Sequence, residues 1–336
     1  MTPNGAYRPI LRPRRGELTA LAHLSADEAG RVLPIVEMDP ALSILPLVRE
    51  LPPRTEMLAL DFGKVPEPPF TADQPLPVAE RLARLGVTMV PVLRPYESGR
   101  RLVSHGLAAR MHRNRAILRL QPHVDAGNPV AADAVTDRVL AATALDPADV
   151  DLLIDLAETA CQAHADAVEE RARRVLRWAR TLPWRSVSVA SGAMPPNLDD
   201  LPTDRPVAVG RLDARVWERL GEAGIGYADY GVTSPIRRLG VQYHRQLPTL
   251  RYTTEREWWI YRWARRGGRS DDRCHDLCRT LVTSPQWPSA GSKFSWGDAE
   301  IARRARTARG AGSSASWIAW STSHHISHVL RTLPAH

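Results

Sequence analysis

Eight short apolar runs recur along the chain, and each one stops at a charged residue or a small polar cluster. A segment that can form a helix follows each of the first seven runs. Strands buried on both faces are continuously apolar, and alternation of strands with helices is typical of a parallel sheet. The pattern therefore predicts an α/β fold, a TIM-like (β/α)8 barrel with its ligand site where the strands end. The runs are YRPILRPRRGE, VLPIVEMD, MLALDFG, TMVPVLRPYE, AILRLQP, VDLLIDLAE, SVSVASGAM and IGYADYG.

One ambiguity concerns the segment that closes the barrel. PVAVGRLDARVWERLGEAG, between the seventh and eighth runs, can form a short strand or loop and then a helix. A strand at VAVGRL would shift the strand count by one. IGYADYG is the preferred eighth strand, because a helix precedes it at a normal spacing. Two proline-rich loops, residues 64–77 and 190–206, follow strand ends and are expected to overhang the barrel mouth.

The pattern changes after Asp229. PTLRYTTEREWWIYRWARR predicts two strands around a turn at Glu255 and Arg256, with one buried aromatic face. Three helical stretches follow, and Ser295 or Asp298 is placed to cap the second of them. We therefore expect a barrel in residues 1–234 and an aromatic-rich C-terminal extension in residues 235–336 that packs on the barrel.

Composition limits the class of protein. A chain of 336 residues that is 43% hydrophobic can bury a full core. No stretch approaches the ~18 apolar residues of a membrane helix, and the N-terminus lacks the apolar core of a signal peptide. We therefore expect a cytoplasmic protein without a membrane partner. Cys274 and Cys278, beside His275, have no matching second pair nearby, which favours a small apolar helix face over half of a metal site.

The chain is basic, with a net charge of +8, which makes nucleic acid a candidate partner. Lys64 and Lys293 are the only lysines, so arginine carries nearly all of the positive charge. Those arginines are interleaved with acidic residues, as in VEERARRVLRWAR, and this is typical of a solvated helix face. Binding of nucleic acid therefore remains the second interpretation.

Charged side chains at the predicted strand ends are the candidate site. A ring of carboxylates at a barrel mouth can bind a divalent cation or act in acid/base catalysis, and guanidinium groups suit phosphate or carboxylate ligands. The alternative is a structural network in which arginines neutralise buried acids. The candidate catalytic residues are Glu37, Asp61, Asp155 and Asp229. The candidate ligand-binding residues are Arg14, Arg94, Arg119, Arg211, Tyr230, His324 and His325.

The segment HHISH places His324 and His328 on one helix face, at the i,i+4 spacing that zinc sites use. The glutamate of an HExxH motif is missing, so metal ligation, acid/base use at the mouth and a structural role all stay open. Nothing in the chain resembles a Walker loop, a dinucleotide fingerprint or a GxSxG elbow.

An ordered set of segments spans nearly the whole chain: YRPILRPRRGELTAL, LPIVEM, LALDFG, LLIDLAE, YADYG, LRYT, FSWGDAEIA and WIAWSTSHHISHVL. This set resembles the beta-protein family, which is named for a protein of phage T4 and is found widely in bacteria. FSWGD and HHISHV are its most specific pieces. The resemblance implies a barrel-like α/β fold and no particular reaction. The family often has a lysine in the first strand-loop, where this chain has Arg12, Arg14 and Arg15, and arginine cannot replace the proton chemistry of lysine.

These observations together predict a protein that binds a small anionic ligand, phosphorylated or carboxylated, at the barrel mouth. The expected chemistry is hydrolysis or elimination by acid/base or metal-assisted catalysis, with a divalent metal as the cofactor considered. Asp155 and Glu37 would be the acid/base or metal groups, and Arg94 and Arg119 would hold the anion. The alternative is a non-enzymatic protein of phage–host conflict that contacts nucleic acid or protein through its basic surface and Trp-rich hairpin.

Overall fold

Eight parallel strands close into a barrel in the computed structural model, which confirms the predicted (β/α)8 architecture. The structure describes residues 7–39, 56–67, 74–122, 129–221, 224–236, 247–264, 271–307 and 310–333. The last barrel strand closes the barrel by pairing with the first, so that Ala228 lies opposite Arg8. The barrel strands are β1 (Arg8–Leu11), β2 (Ile35–Glu37), β3 (Met57–Asp61), β4 (Thr88–Leu93), β5 (Ala116–Leu120), β6 (Val150–Glu158), β7 (Ser186–Gly192) and β9 (Ile225–Asp229).

The segment VAVGRL does form a strand, but that strand does not belong to the barrel. It is β8 (Arg205–Gly210), which pairs antiparallel with a strand of the C-terminal hairpin. The eighth barrel strand is β9, as predicted from IGYADYG. The barrel count therefore stays at eight, and the additional strand contributes to a second, three-stranded sheet.

Helices cover the outside of the barrel between its strands. Ser98 caps the helix after β4 by accepting a hydrogen bond from the backbone N–H of Arg101. Gly86, with φ 76°, lies in the turn between the preceding helix and β4, and glycine in this conformation is a common helix stop. The helix predicted at residues 41–51 lies outside the described residues. The helices are α1 (Arg15–Ala22), α2 (Ala26–Arg31), α3 (Pro75–Ala83), α4 (Gly99–Arg110), α5 (Pro129–Thr143), α6 (Gln162–Ala179) and α7 (Leu212–Leu220).

Apolar side chains fill the middle of the barrel interior. Alternate residues of a strand point to the same side, so each strand contributes its inward residues to shared layers. Two positions nearer the carboxyl-terminal strand ends, several inward residues are polar. The interior therefore changes from apolar to charged toward the mouth. The apolar layer includes Ile10, Ile35, Ala59, Val92, Ile117, Leu153 and Ala228.

The predicted C-terminal hairpin is present as β10 (Thr249–Thr253) and β11 (Glu257–Arg262). The predicted buried aromatic face is present, because Tyr261 and Trp263 lie in an apolar cluster with Trp259 packed against it. The opposite face of β11 is covered as well, which the sequence did not predict. Trp258 and Ile260 pack on residues that follow β7, including Met194. Tyr261 packs on the other side, in a cluster with Leu277 from the helices that follow the hairpin. The hairpin therefore lies between two layers, and its own sequence does not reveal this.

Three helices end the chain, and the last of them packs on the barrel wall. They are α8 (Asp271–Val282), α9 (Trp296–Arg306) and α10 (Ser314–Thr332). The predicted cap of α9 is confirmed, since Ser295 accepts a hydrogen bond from the backbone N–H of Asp298. Ile326 and Val329 of α10 pack in one apolar cluster with Tyr7 beside β1 and Tyr227 of β9. Throughout the described residues, no helix is long and apolar enough to span a membrane.

Candidate functional site

Polar side chains line the carboxyl-terminal end of the barrel interior. Glu37, Asp61 and Asp155 each lie two positions after a residue of the apolar layer, so their side chains also point into the barrel. They are 5%, 4% and 0% exposed, respectively. Glu37 and Asp61 are paired neighbours on β2 and β3. The structure therefore brings together three of the four carboxylates that the sequence places at strand ends.

Arg119 of β5 lies at the centre of these carboxylates. Its Nη1 donates to Asp61 Oδ2 at 2.6 Å and to Glu37 Oε1 at 3.0 Å. Its Nε and Nη2 donate to Asp155 Oδ2 at 3.0 and 2.8 Å. Because every nitrogen of the guanidinium group is bonded to a carboxylate, Arg119 organises the acids of the mouth.

Two neutral side chains complete the hydrogen bonding of Asp155. Tyr230, directly after β9, donates its hydroxyl to Asp155 Oδ2 at 2.8 Å and accepts from Arg119 Nη2 at 2.8 Å. Gln121 Nε2 donates to Asp155 Oδ2 at 2.8 Å. Burial and the charge of Asp155 hold the pKa of Tyr230 well above its usual range, so the phenol keeps its proton. Tyr230 therefore lies in the mouth as a hydrogen-bond donor.

Arg94, which follows β4, differs from Arg119 in having donor capacity left. Its Nε donates to Tyr96 Oη at 3.1 Å, and its Nη2 reaches Gln121 Oε1 at the long distance of 3.4 Å. Its Nη1 is buried and has no hydrogen-bond partner among the described residues. The nearest acid, Asp61, places Oδ2 at 3.9 Å from Nη1. This nitrogen is therefore available to an acceptor that enters the mouth.

The charges at the mouth balance one another. The three carboxylates face Arg94, Arg119 and Lys64, whose Nζ lies 2.6 Å from Glu37 Oε2. Burial by itself raises the pKa of each carboxyl, but the neighbouring cations outweigh burial and hold each pKa below its ordinary value. The three acids are therefore ionised at neutral pH and can act as bases or acceptors, but not as proton donors.

The donor set of the mouth does not suit a metal ion. Within the described residues, no group of three or more His, Cys, Asp or Glu side chains is placed to hold a metal. The carboxylate oxygens point at Arg119, which occupies the place between the acids that a divalent cation would need. Cation binding between these acids would require displacement of the buried Arg119 guanidinium.

Asp229, the fourth predicted carboxylate, lies on the outer side of the barrel wall. It accepts hydrogen bonds from Tyr7 Oη at 2.6 Å and from the backbone N–H of Gly231 at 2.9 Å, and its Oδ2 lies 2.8 Å from His325 Nε2. His325 Nδ1 lies 2.9 Å from Thr253 Oγ1. Burial raises the pKa of Asp229, but His325 and Tyr7 outweigh burial and lower the pKa to about 2. This cluster fixes α10 to β9 and the hairpin.

Three further predicted ligand-binding residues also lie away from the barrel interior. His324 lies 2.9 Å from Asp298 Oδ2 and 2.9 Å from the backbone oxygen of Thr253, which ties α10 to α9 and β10. Arg211 donates from Nη2 to Tyr227 Oη at 3.0 Å, next to the outer cluster. Arg14 is exposed just before α1. The structure therefore separates these residues from the carboxylates around Arg119.

Comparison with known proteins assigns the chain to a family. The Beta protein family model matches residues 7–331, nearly the whole chain. The chain belongs to this family. No curated protein matches it. The family assignment agrees with the resemblance drawn from the sequence.

Two solved structures resemble this Beta protein family member distantly. Triosephosphate isomerase from Bartonella henselae is 11% identical over 68% of this chain and 94% of its own, with a TM-score of 0.35. The biosynthetic arginine decarboxylase SpeA from Campylobacter jejuni is 11% identical over 97% of this chain and 55% of its own, with a TM-score of 0.39. Neither similarity bears on the reaction of this protein.

A second polar layer, which was not predicted from the sequence, lies at the amino-terminal end of the barrel. Asp151 accepts from Arg115 Nε at 2.9 Å and lies 3.3 Å from Arg8 Nη2. Arg115 and Asp151 stand four positions before Arg119 and Asp155, on the same strand faces. That repeat could have revealed the layer. In this Beta protein family member, the two polar layers lie on either side of the apolar one.

The hairpin tryptophans, considered for nucleic-acid binding, and the two neighbouring cysteines, considered for metal binding, pack mainly in the core. Trp258 and Trp263 of the hairpin region are 1% and 5% exposed, so their rings are not available for stacking with bases. Cys274 and Cys278 are 1% and 0% exposed and lie in the apolar cluster that surrounds Leu277. The two cysteines therefore belong to a small apolar helix face, as the sequence favoured.

Proposed function

We propose that the carboxyl-terminal mouth of the barrel binds a small anionic ligand, phosphorylated or carboxylated, through Arg94. The single observation that supports this best is the buried Nη1 of Arg94, which lacks a hydrogen-bond partner in the described part of the chain. A buried donor without a partner costs about 1–3 kcal/mol. A ligand oxygen that accepts from Nη1 would remove this cost.

Arg94 is also suited to an anion by its surroundings. Tyr96 fixes the guanidinium through Nε, and its ring lies 5.3 Å from Arg94 Cζ. The long 3.4 Å bond from Nη2 to Gln121 can yield to a better acceptor. Nη1 and Nη2 could then bind two oxygens of one phosphate or carboxylate, which is the arrangement that guanidinium groups favour.

The reaction we infer for such a ligand is acid/base hydrolysis or elimination. Glu37, Asp61 and Asp155 are ionised beside the anion site, so one of them could accept a proton from a water molecule or from the ligand. Tyr230 keeps its proton and donates it to Asp155, so it would help to orient that carboxylate. Arg119 would act as a positioning residue, because it holds all three carboxylates in place.

Calorimetric titration tests the anion site. Oxalate and inorganic phosphate would be titrated into the wild type, Arg94→Ala and Arg84→Ala in low-salt buffer. Arg84 is exposed at the end of α3 and serves as the matched control. We expect Arg84→Ala to bind like the wild type, and Arg94→Ala to bind at least tenfold more weakly. Equal affinity of wild type and Arg94→Ala for both anions, or no binding of either to the wild type, would overturn the proposal.

A further inference from the structure

Glu17 of α1 is a buried carboxyl without a well-formed hydrogen bond. It is 1% exposed, and neither of its oxygens has a hydrogen-bond partner of good geometry among the described residues. Buried polar groups are nearly always hydrogen-bonded, so such an exception needs a reason. Glu17 is not among the candidate residues predicted from the sequence. Its spacing of four from Leu21, on the apolar face of α1, is the signal that could have found it.

Three arginines surround Glu17 without pairing with it directly. The charges of Arg12, Arg14 and Arg251 all act on the carboxyl, and the backbone N–H of Arg12 makes a poorly aligned contact with it. None of the three guanidinium groups forms an ion pair with Glu17 within 4.0 Å. Arg12 and Arg14 come from the loop between β1 and α1, and Arg251 comes from β10. On the side of α10, Gly16 packs against uncharged Ala315.

Arg251 also keeps a nitrogen without a partner. Its Nη1 donates to the backbone oxygen of Val232 at 2.9 Å, while its Nε is buried with no partner in the described residues. Arg12 Nη2 donates to the backbone oxygen of Ser234 at 2.6 Å. These bonds to the main chain hold both guanidinium groups in place. A carboxyl and a guanidinium nitrogen thus stay unsatisfied in one cluster.

The cluster lies at the same end of the barrel as the proposed anion site. Val232 and Ser234 belong to the segment that begins at Tyr230, whose hydroxyl bonds Asp155 inside the mouth. Arg12 follows the carboxyl-terminal end of β1, which pairs with β9. The three arginines carry three positive charges and Glu17 carries at most one negative charge, so the cluster has a net charge of at least +2. A ligand group with two negative charges would balance it. The Glu17 carboxyl, when protonated, can donate a hydrogen bond to that ligand group.

We propose that Glu17, Arg12 and Arg251 form a second subsite of the mouth, which binds a phosphoryl group through the Glu17 carboxyl and the Arg251 Nε that has no partner within the described residues. The proposal rests on the proposed function and narrows its ligand class to phosphorylated compounds. Arg251 Nε donates to one phosphoryl oxygen, and the protonated carboxyl of Glu17 donates to another. Arg14, exposed at the rim, adds long-range attraction.

The state of Glu17 supports this arrangement. Burial raises the pKa of Glu17 to about 7, although the three arginines act to lower it. The carboxyl is therefore partly protonated at neutral pH, whereas the carboxylates around Arg119 are ionised. Binding of a dianion should require the protonated form, so that affinity falls as pH rises above 7.

Sulfate is the probe, because it has phosphate-like geometry and stays a dianion at neutral and alkaline pH. Any change of sulfate affinity with pH therefore comes from protonation of the protein and not of the ligand. Calorimetric titrations at pH 6.5 and pH 8.5 would compare the wild type with Glu17→Gln and the matched control Glu218→Gln, an exposed residue of α7. By linkage, wild-type and Glu218→Gln affinity should fall roughly 20-fold between the two pH values. Glu17→Gln should bind at pH 8.5 about as well as the wild type does at pH 6.5.

Arg251→Gln and Arg12→Gln test the anion contacts, and each should weaken sulfate binding at least tenfold at pH 6.5. Two arginines are used because Arg251 lies in the hairpin sheet, where a substitution can disturb folding. A wild-type pH dependence that persists unchanged in Glu17→Gln would overturn the subsite. So would full affinity in folded Arg12→Gln. Loss of binding in Arg94→Ala alone, with no effect at Glu17, would leave the proposed function intact and reject this inference.

Discussion

Asp229 and Tyr230 are neighbours in the chain, but their side chains lie on opposite sides of the barrel wall. Asp229 Oδ2 is 2.8 Å from His325 Nε2 on the outside, whereas Tyr230 Oη is 2.8 Å from Asp155 Oδ2 on the inside. One peptide bond therefore joins the packing of α10 to the network of the mouth.

Arg119→Met should destabilise the protein strongly. The substitution leaves Glu37, Asp61 and Asp155 buried without their central cation, and loss of one partner of a buried ion pair costs about 3–5 kcal/mol. Urea unfolding at pH 7 measures this loss. The deficit should shrink toward pH 4, because the acids can then take up protons. Arg84→Met, on the exposed end of α3, should change the free energy of unfolding by less than about 0.5 kcal/mol. Equal effects of the two variants would contradict the network.

Glu17→Gln should stabilise the protein at alkaline pH and not in acid. The folded-state pKa of Glu17 is about 7, above the ordinary value of 4.5, so ionisation opposes folding. This penalty is absent below about pH 4.5 and complete above about pH 7, where it reaches about 3 kcal/mol. Urea unfolding at pH 5 and pH 8.5 measures it. Glu218→Gln is the exposed control and should show no such difference. A stability gain in Glu17→Gln that is equal at both pH values would rule out this explanation.

Asp229→Asn should weaken the attachment of α10 to the barrel. The pKa of Asp229 is about 2 in the folded protein against an ordinary 3.8, so its ionised form stabilises folding. That contribution is fully present above about pH 4, amounts to about 2 kcal/mol, and is lost as pH falls toward 2. Thermal unfolding should show a lower midpoint for the variant at pH 7 and a smaller difference at pH 3. Asp200→Asn, at an exposed loop position, should match the wild type at both pH values.

Gly16→Ala should disturb the packing of α1 on α10. A Cβ atom at Gly16 would lie 2.6 Å from the backbone oxygen of Ala315 and 3.0 Å from Ile318 Cβ, so the helices must move apart. We expect a loss of about 1–3 kcal/mol, despite the better helix propensity of alanine. Gly30→Ala in α2 is the control, because nothing lies within 4 Å of its new Cβ and the variant should be neutral or more stable. Equal free energies of unfolding for Gly16→Ala and Gly30→Ala in urea would contradict the close contact between α1 and α10.

The sequence predicted the barrel because each barrel strand is a local apolar run. A strand buried on both faces needs no partner to be recognised, and each run ends at a polar residue. The C-terminal end of parallel barrel strands is one common face, so strand ends alone placed Glu37, Asp61, Arg119 and Asp155 near each other. The caps at Ser295 and the turn at Gly86 were equally local.

The same continuous burial hides which way a side chain points at a strand end. Asp229 and Asp155 both end apolar runs, yet Asp155 faces the interior and Asp229 faces α10. Only the register of β9 against its neighbours decides between the two directions. Arg94 and Arg119 likewise could not be told apart from the sequence, because each follows or ends an apolar strand. Tertiary contacts commit every nitrogen of Arg119 and leave Arg94 Nη1 without a partner.

The sequence by itself determined the strand–helix order, the closed barrel and the end of the barrel at which charge collects, because these depend on hydrophobic pattern and local geometry. Tertiary structure alone decided the partner of β8, the docking of α10 beside β1 and the burial of Glu17. Each of these is a contact between segments far apart in the chain. Burial also sets whether a carboxyl is ionised, so the chemistry of Glu17 became visible only once the fold had surrounded it.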